Sequence, residues 1–373
     1  MNMAFKFRIY PNNEQLILIN QTLGHTRFLW NKMLEDKNRH YETNKEHLYT
    51  LPSQYKDEYP FLRDVDSLAL ANVQQNLKRA YSSFFKGKSG FPEFKKKCND
   101  YGYTTNNVNN NIAITSDGKY IKLPKLGLVK LVYHRNIPNN MKLKNVTVSK
   151  SKTDKYYVSI NCCYNHYIVD YNIKDTLGLD FSIAQFYVDS NGNKVSFPDD
   201  IIYDYKRLRI LQRSLSRKYQ KLTKEEKLQG KTQSNNFYKN VSRIAKMYEK
   251  ITNKKNDFLH KLSNQIANDY DSVSVESLDL IKMSQDNKYY AKQLSRFGYK
   301  RFLTFLGYKL ERLGKRLIYI DKWYASSKTC SVCSNINDKL KLNDRTYYCS
   351  HCGNNIDRDY NAAINIKHEG LKV

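Results

Sequence analysis

The sequence predicts an α/β protein built from two or more domains. Its 373 residues exceed the length at which a single hydrophobic core usually stops growing. The hydrophobic pattern changes from a helical period to an alternating one near residue 101. Paired cysteines near the C-terminal end are typical of a small metal-binding module.

The charge of the chain indicates a polyanionic partner. Lys and Arg number 63 against 36 Asp and Glu, which gives a net charge of +27. Nucleic acid is therefore the first hypothesis. Because no stretch approaches the roughly 18 apolar residues of a membrane span, a membrane protein is a poor alternative. The first ten residues show no apolar h-region or cleavage site, so we expect a cytosolic protein.

The first part of the chain is predicted to combine strands with a helical block. Residues 5–10 are strand-like, and residues 12–100 carry apolar side chains at helical spacing, with Ser67 as a candidate cap. Side chains alternate between about 101 and 170, with a tight turn at 117–118. We expect residues 1–11 and 101–170 to form a small antiparallel β-barrel that is interrupted by the helices.

Aromatic rings alternate with lysines between residues 84 and 97. The rings could stack on nucleic-acid bases while the ammonium groups neutralise phosphates. Equally, the rings could anchor a turn in the core and the lysines could form a solvated face. The sequence leaves both interpretations open.

The second part of the chain is predicted to mix strands and helices. We expect strands at 177–183 and 185–188, a hairpin turn at 189–192, and further strands at 273–275 and 317–320. A helix is expected over residues 294–313. Helices within 205–262 carry far more basic than acidic residues, which favours a surface that follows phosphates over a merely solvated face.

Two Cys-x-x-Cys pairs predict a structural zinc site. Cys330 and Cys333 form the first pair, and Cys349 and Cys352 form the second after fifteen intervening residues. This spacing is typical of ribbon-type tetrahedral zinc. A catalytic zinc ion needs an open position, whereas four thiolates close the site, so His351 is not an expected ligand. The remaining cysteines are interpreted as buried thiols in a reducing compartment: Cys98, Cys162 and Cys163.

Three carboxylates stand out by their placement. Asp180 lies in an apolar strand, Glu276 ends another strand, and Asp359 lies at a predicted helix start. Such acids can hold two Mg²⁺ ions about 4 Å apart, because hard cations prefer oxygen ligands. Taken singly, each acid has a simpler explanation: Asp357 or Asp359 could cap a helix, Glu276 could pair with a lysine, and Asp180 could end a strand.

Ordered segments of the chain resemble the TnpB family, transposon-encoded relatives of the type V CRISPR effector nucleases. The main segments are 178–180, 274–278, the two cysteine pairs and 357–366. Supporting segments are 6–11, 90–97, 257–262 and 323–330. Together they follow the family order over nearly the whole chain.

The resemblance implies a RuvC-like nuclease domain of RNase H fold at residues 171–322 and 356–373. It also implies a zinc-ribbon insertion at 323–355 that binds target nucleic acid, a wedge-like β-barrel at 1–11 and 101–170, and a helical recognition lobe at 12–100. The resemblance also implies that Asp180, Glu276 and Asp359 are the catalytic acids and that they bind Mg²⁺. The zinc ligands are the four paired cysteines.

The implied partners are a guide RNA transcribed from the transposon end and a double-stranded DNA target next to a short motif. Guide pairing would then specify the sequence that is cut, and the protein would be monomeric on its RNA. All three acidic positions are filled, which argues against a nuclease-inactive RNA-guided regulator. A guide-independent RNase H-fold nuclease is the other alternative.

Two positions depart from the family pattern. Ser334 follows the first cysteine pair where relatives often have glycine, which puts only the local turn in question. Residues 294–302 lack a tryptophan that many relatives carry, so the details of that helix are left open.

Overall fold

A computed structural model describes residues 2–97, 101–164, 173–182, 185–220, 223, 225–226, 232–277, 293–294, 296–341 and 344–372. The chain divides into two compact units, Met1–His166 and Tyr167–Val373. The predictions for Cys98 and for residue 278 lie outside the described residues.

The first unit contains an antiparallel seven-stranded sheet. Its strands are β1 (Asn2–Tyr10), β2 (Tyr101–Asn106), β3 (Ala113–Ile114), β4 (Tyr120–Leu123), β5 (Gly127–Val132), β6 (Lys142–Lys150) and β7 (Tyr156–Cys163). They lie in the order β2-β6-β7-β1-β5-β4-β3. The N-terminal strand therefore pairs with β7 and β5, as predicted. Among the described residues no ladder joins β2 to β3, and closure into a barrel stays a prediction.

Alternation along β1 explains the core of this sheet. Phe5, Phe7 and Ile9 point to one face and are buried, because successive side chains of a strand point to opposite faces. Ile19 and Leu23 belong to the same cluster. The predicted turn at 117–118 is confirmed, since the Gly118 amide donates to the Thr115 carbonyl at 2.9 Å.

The helical block of the first unit lies within residues 12–97. It contains α1 (Asn13–Asn44), α2 (Pro52–Glu58), a 3₁₀ turn (Pro60–Arg63) and α3 (Ser67–Phe85). Asn12 and Gln15 form a capping box at the start of α1. The prediction that Ser67 caps α3 is wrong: Asp66 has the extended backbone of an N-cap and accepts from the Leu68 amide at 3.1 Å. Both residue types can cap, and the chain turns into the helix one residue earlier than predicted.

The second unit contains a five-stranded sheet of order β10-β9-β8-β11-β12. Its strands are β8 (Thr176–Asp180), β9 (Tyr187–Asp189), β10 (Lys194–Val195), β11 (Ser272–Glu276) and β12 (Arg316–Ile320). β8, β11 and β12 are parallel, whereas β9 and β10 join by antiparallel pairing. The predicted hairpin turn at 189–192 is confirmed, because the Gly192 amide donates to the Asp189 carbonyl at 3.0 Å.

Helices cover this sheet, and a small hairpin follows it. The helices are α4 (Asp199–Lys218), α5 (Asn235–Asp269), α6 (Tyr299–Arg312) and α7 (Arg358–Gly370), and the hairpin strands are β13 (Thr346–Tyr348) and β14 (Asn355–Asp357). Leu259, Phe302 and Leu306 carry the apolar helix faces into the sheet core. The helix predicted at 294–313 is confirmed over α6, but its predicted start is wrong, because Gly298 has a left-handed backbone at φ 73° and α6 begins at Tyr299. Within the residues described, no helix has both the length and the apolar character needed to cross a membrane.

Candidate functional site

Two of the candidate acids lie at one edge of the second sheet. β8 and β11 are parallel, with Leu179 opposite Val275, so Asp180 and Glu276 follow at the carboxyl ends of adjacent strands. In open α/β sheets, this edge is where ligands bind. Both side chains are half-buried.

The third candidate acid is carried by α7. Asp359 lies in the first turn of this helix, which packs against β8 and β11. Helix and strand approach closely at Gly178, where a Cβ atom would come within 2.7 Å of the Lys367 amide nitrogen. The absence of a side chain at this position therefore lets α7 bring Asp359 toward the strand that ends in Asp180.

Asp357 has a different environment from Asp359. Its carboxylate accepts from the amides of Asp359 and Tyr360 at 3.0 and 3.1 Å, and it pairs with the Lys194 ammonium at 2.6 Å. The helix-cap explanation thus holds for Asp357. Burial alone would raise the pKa of Asp357, but Lys194 and the two amides hold it below its ordinary value.

Asp180 interacts electrostatically with both of the other acids. Burial raises the pKa of Asp180 well above its ordinary value, and the negative charges of Glu276 and Asp359 raise it further, while Arg358 opposes them. Burial also raises the pKa of Glu276, against a hydrogen bond from Ser326. Neighbouring carboxylates that repel one another in a partly buried site form a favourable environment for a divalent cation.

The four paired cysteines form one cluster. Their sulfur atoms all lie within 4.8 Å of one another, and Cys330–Cys352 and Cys333–Cys349 are each 3.6 Å apart. All four are free thiols. Four sulfurs around a tetrahedral zinc ion at about 2.3 Å would lie about 3.8 Å from one another, so this cluster fits zinc.

The two cysteine pairs repeat the same backbone geometry. The Cys330 amide donates to Asn335 and the Ser334 amide donates back to Cys330, and equivalent bonds link Cys349 with Asn354 and Gly353. Each pair thus forms a knuckle whose fifth residue has a left-handed backbone, Ser334 at φ 61° and Gly353 at φ 76°.

Backbone amides also favour thiolates in these knuckles. Burial disfavours the Cys330 thiolate, but the amides of Cys333 and Val332 outweigh it and lower its pKa to about 6. In the second knuckle the Cys352 amide lowers the pKa of Cys349 in the same way. Thiolates are the form of cysteine that binds zinc.

Comparisons with known proteins show what the chain is similar to. Three family models match the chain: "Helix-turn-helix domain" at residues 1–46, "Probable transposase" at 161–287 and "Cas12f1-like, TNB domain" at 299–366. A "Putative RNA-guided DNA endonuclease" of Streptomyces pristinaespiralis is 29% identical, and the alignment covers 99% of this chain and 89% of that protein. The "Putative RNA-guided DNA endonuclease InsQ" of Escherichia coli is 25% identical over 99% of this chain and 92% of its own length.

A further relative carries the family name. The "TnpB-like protein L79" of Acanthamoeba polyphaga mimivirus is 33% identical over 35% of this chain and 25% of that protein. This chain is a TnpB-like protein related to the type V effectors. The helix-turn-helix match falls on β1 and the single long helix α1.

A solved structure shares the fold of this TnpB-like protein. The Cas12f1 chain in "Cryo-EM structure of the Cas12f1-sgRNA-target DNA complex" matches with a TM-score of 0.63 at 13% identity, over 98% of both chains. At this identity the match shows the fold alone. It spans both units of the TnpB-like chain, including the sheet edge that carries the acids.

Polar residues of α7 that the sequence analysis did not single out join the acid site to the cysteine cluster. Asn361 and Asn365 are buried and one helical turn apart. Their amide groups bond the segment at 326–331 that leads into the first knuckle. Two amides at this spacing in a helix that also buries Ala362, Ala363 and Ile366 were the available signal.

The basic helix α4 of the TnpB-like protein has both paired and exposed charges. Lys250 and Lys254 from α5 bond Asp204 at 2.9 and 2.8 Å, so these two lysines are structural. Burial would raise the pKa of Asp204, but the two ammonium groups hold it below its ordinary value. Four α4 arginines are exposed, as a surface that contacts phosphates requires: Arg207, Arg209, Arg213 and Arg217.

The aromatic segment at 84–97 is anchored on the helical block, while its contact with nucleic acid stays a prediction. The Trp30 indole donates to the Glu93 carbonyl at 3.0 Å, and the Lys95 ammonium lies 3.8 Å from the Trp30 ring centre, so the segment is anchored on α1. Phe85 and Phe94 nevertheless stay mostly exposed. Exposed rings are what stacking on nucleotides requires, although the Tyr81 ring already stacks against Phe85 with ring centroids 6.4 Å apart.

Proposed function

We propose that this TnpB-like protein is an RNA-guided, metal-dependent DNA endonuclease that hydrolyses phosphodiester bonds of double-stranded DNA. The observation that carries the proposal is the placement of Asp180 and Glu276 at the carboxyl ends of adjacent parallel strands, against which the helix that carries Asp359 packs. These acids come from three separate stretches of chain. The names of the two relatives that align over the whole chain support the same activity.

The proposed site resembles a RuvC-like active site. Its sheet pairs an antiparallel β8–β9–β10 meander with the parallel strands β11 and β12, and the acids come from β8, β11 and the helix α7. Asp180, Glu276 and Asp359 would hold two Mg²⁺ ions. When bound, the ions would activate a water nucleophile and stabilise the leaving 3′ oxygen.

The protein's own residues have separate tasks in this mechanism. Asp180 at the end of β8, Glu276 at the end of β11 and Asp359 in the first turn of α7 would each offer carboxylate oxygens to the ions. Asp357 is already engaged by the helix amides and by Lys194, so it would keep α7 in place. Lys194, in turn, would hold Asp357 away from the metal site.

The four-cysteine cluster would bind one structural zinc ion. Cys330, Cys333, Cys349 and Cys352 would close the coordination shell and leave no open position for chemistry. The ribbon would then be a fixed platform next to the acids. Trp323 lies after β12 at the same edge and is 82% exposed, so its ring could stack on a base of a bound strand.

The proposed partners are nucleic acids. A guide RNA from the transposon end would pair with the target strand, and the protein would read a short adjacent motif. A net charge of +27 suits a chain that holds an RNA–DNA heteroduplex, and we propose one protein molecule per guide RNA.

Plasmid cleavage tests this proposal. The protein is purified with the RNA that accompanies it, the RNA is sequenced, and the complex is incubated with plasmids that carry the guide-matched target beside randomised flanks. We expect linear product only with Mg²⁺, the matching guide and a subset of flanks. Bound but uncut plasmid would indicate an RNA-guided regulator instead. Cleavage of unmatched DNA without RNA would indicate a guide-independent nuclease.

A further inference from the structure

The Ser326 hydroxyl donates a hydrogen bond to one carboxylate oxygen of Glu276, Oε1. Ser326 is 5% exposed, so water does not readily replace this bond. A carboxylate with one oxygen held in this way has its second oxygen fixed in direction. Ser326 lies fifty residues further along the chain than Glu276, in the segment that leads from β12 to the first cysteine knuckle.

The segment that carries Ser326 is itself held by α7. The Asn365 amide donates to the carbonyls of Ser326 and Thr329 at 2.8 and 2.6 Å. Asn361 donates to the same Thr329 carbonyl at 2.7 Å and accepts from the Ser331 amide at 3.0 Å. Both asparagines are almost fully buried, and each buried donor has a carbonyl partner, which makes the connection rigid.

One continuous set of bonds therefore joins elements that are distant in sequence. It begins at Glu276 on β11, passes through Ser326 to Asn365, and reaches Asn361, two residues after Asp359. It ends at Ser331, between the first two cysteines. The position of the knuckle is thus linked to the direction of the Glu276 carboxylate and to the helix that carries Asp359.

We propose that Ser326 is a positioning residue that aims the Glu276 carboxylate at the metal site, and that Asn365 and Asn361 hold Ser326 in place. This role rests on the proposed function, since it concerns the same acids. Partners in hydrogen bonds to metal-ligating carboxylates orient them, and their loss typically weakens metal affinity or activity by about 10- to 100-fold.

Ser277 offers a matched control. It is one residue from Glu276, and its hydroxyl donates to the Ile320 carbonyl at 2.8 Å rather than to an acid. Ser326→Ala and Ser277→Ala each remove one part-buried hydroxyl near the same strand end. A general loss of stability would affect both variants. A loss of the orientation of the Glu276 carboxylate would affect only Ser326→Ala.

Mn²⁺ titration of the protein–guide RNA complex by calorimetry, without DNA, tests the proposal. We expect Ser326→Ala to raise the dissociation constant for Mn²⁺ at least about tenfold. The Mg²⁺ concentration for half-maximal cleavage should rise in parallel, while guide affinity and zinc content stay unchanged. Ser277→Ala should stay within about twofold of wild type. Asn365→Leu, which keeps the branching of the side chain but removes both donor bonds, should weaken Mn²⁺ binding in the same direction as Ser326→Ala.

Wild-type Mn²⁺ affinity in Ser326→Ala, or equal losses in Ser326→Ala and Ser277→Ala, would overturn the positioning role while leaving the proposed function intact. Wild-type protein that neither takes up Mn²⁺ nor cuts DNA would overturn the proposed function itself. The two failures are therefore distinct, because the first is seen only in the variants and the second in the unmodified protein.

Discussion

Gly178 on β8 lies directly against the carbonyl oxygen of Ala363 on α7, and a Cβ atom at residue 178 would collide with it. The Lys367 amide nitrogen would also lie within 2.7 Å of that Cβ atom. Both obstacles are helix backbone, which cannot turn aside as a flexible side chain can. The strand that carries Asp180 and the helix that carries Asp359 can therefore approach this closely only because residue 178 has no side chain.

Gly178→Ala should push α7 away from β8. We expect a loss of about 3 kcal/mol in the free energy of unfolding, at the upper end of the usual cost of overpacking. Cleavage should fall as well, because Asp359 moves with the helix. Urea unfolding and plasmid cleavage measure the two effects.

The control is Gly307→Ala on α6, where the nearest atom to a Cβ is the Leu317 methyl at 3.5 Å. We expect this variant to gain up to about 1 kcal/mol in the free energy of unfolding. Equal stabilities of the two alanine variants would contradict this account.

Asp180→Asn should abolish cleavage and leave nucleic-acid binding intact. The change keeps the shape of the side chain but removes the charge that would hold the metal ions, so we expect a rate loss on the order of 1000-fold. Removing one of three mutually repelling carboxylates should also leave the metal-free protein at least as stable as wild type.

Plasmid cleavage, gel-shift binding of guide and target, and thermal unfolding in EDTA measure these three outcomes. Asp175→Asn is the control, because this exposed acid immediately precedes the same strand at its other end. It should cleave at the wild-type rate. Retained cleavage by Asp180→Asn would refute the assignment of this acid.

The zinc ligands could be predicted from the sequence, whereas the supports of the acid site could not. The two cysteine pairs are local features, since each knuckle closes within six residues and its spacing is visible in the chain. Prediction of the three acids required both their positions at strand and helix ends and the family resemblance. No local sequence pattern joins residues that lie about 80 to 180 positions apart. The crowding at Gly178 and the bonds of Asn361 depend on how α7 packs against distant segments. The predicted cap of α3 is wrong by one residue, because Asp66 and Ser67 are adjacent and equally suited to capping.

Cys349→Ser should remove bound zinc and unfold the ribbon. Loss of one thiolate opens the tetrahedral site, and in small metal-bound modules the binding free energy is also folding free energy. We expect zinc content to fall from one per chain to near zero, and proteases to cleave within residues 326–357 much faster than in wild type. Cys163→Ser on β7 is the control and should keep its zinc. A folded, protease-resistant and metal-free Cys349→Ser would show that the cluster is not a structural zinc site.

Ser334 and Gly353 should respond oppositely to exchange of their residue types. Both have left-handed backbones in equivalent positions of the two knuckles, where a side chain costs about 1 kcal/mol or more. Ser334→Gly removes that cost but adds freedom to the unfolded chain, so a net gain of roughly 0.5 kcal/mol is expected. Gly353→Ser should lose about 1 kcal/mol. Thermal unfolding of the zinc-loaded proteins measures both, and changes of the same sign would be inconsistent with the shared geometry.

Lys309 should make the stability of the second unit depend on pH in the alkaline range. Its ammonium donates to the His260 carbonyl at 2.5 Å and to the Ser263 hydroxyl at 2.8 Å. Burial lowers the pKa of Lys309 to about 8 from an ordinary value of 10.5, and the positive charge of Arg312 adds to this effect. Below about pH 8, Lys309 is protonated in both the folded and the unfolded state, and the folded state bears the full cost of the buried charge.

Between pH 8 and 10.5 the unfolded chain binds more protons at Lys309 than the folded protein does, so this residue contributes a gain in stability as pH rises through that window. Lys309→Met keeps most of the side-chain length but cannot titrate. The free energy of unfolding of wild type minus that of Lys309→Met should therefore increase from pH 8 upward and level off above 10.5. Urea unfolding at pH 7 to about 10 measures this difference, and subtraction removes the titration of the other lysines. Lys300→Met, at an exposed position of the same helix, should give a difference that is flat with pH. A flat difference for Lys309→Met would show that its ammonium carries no cost of burial in the folded state.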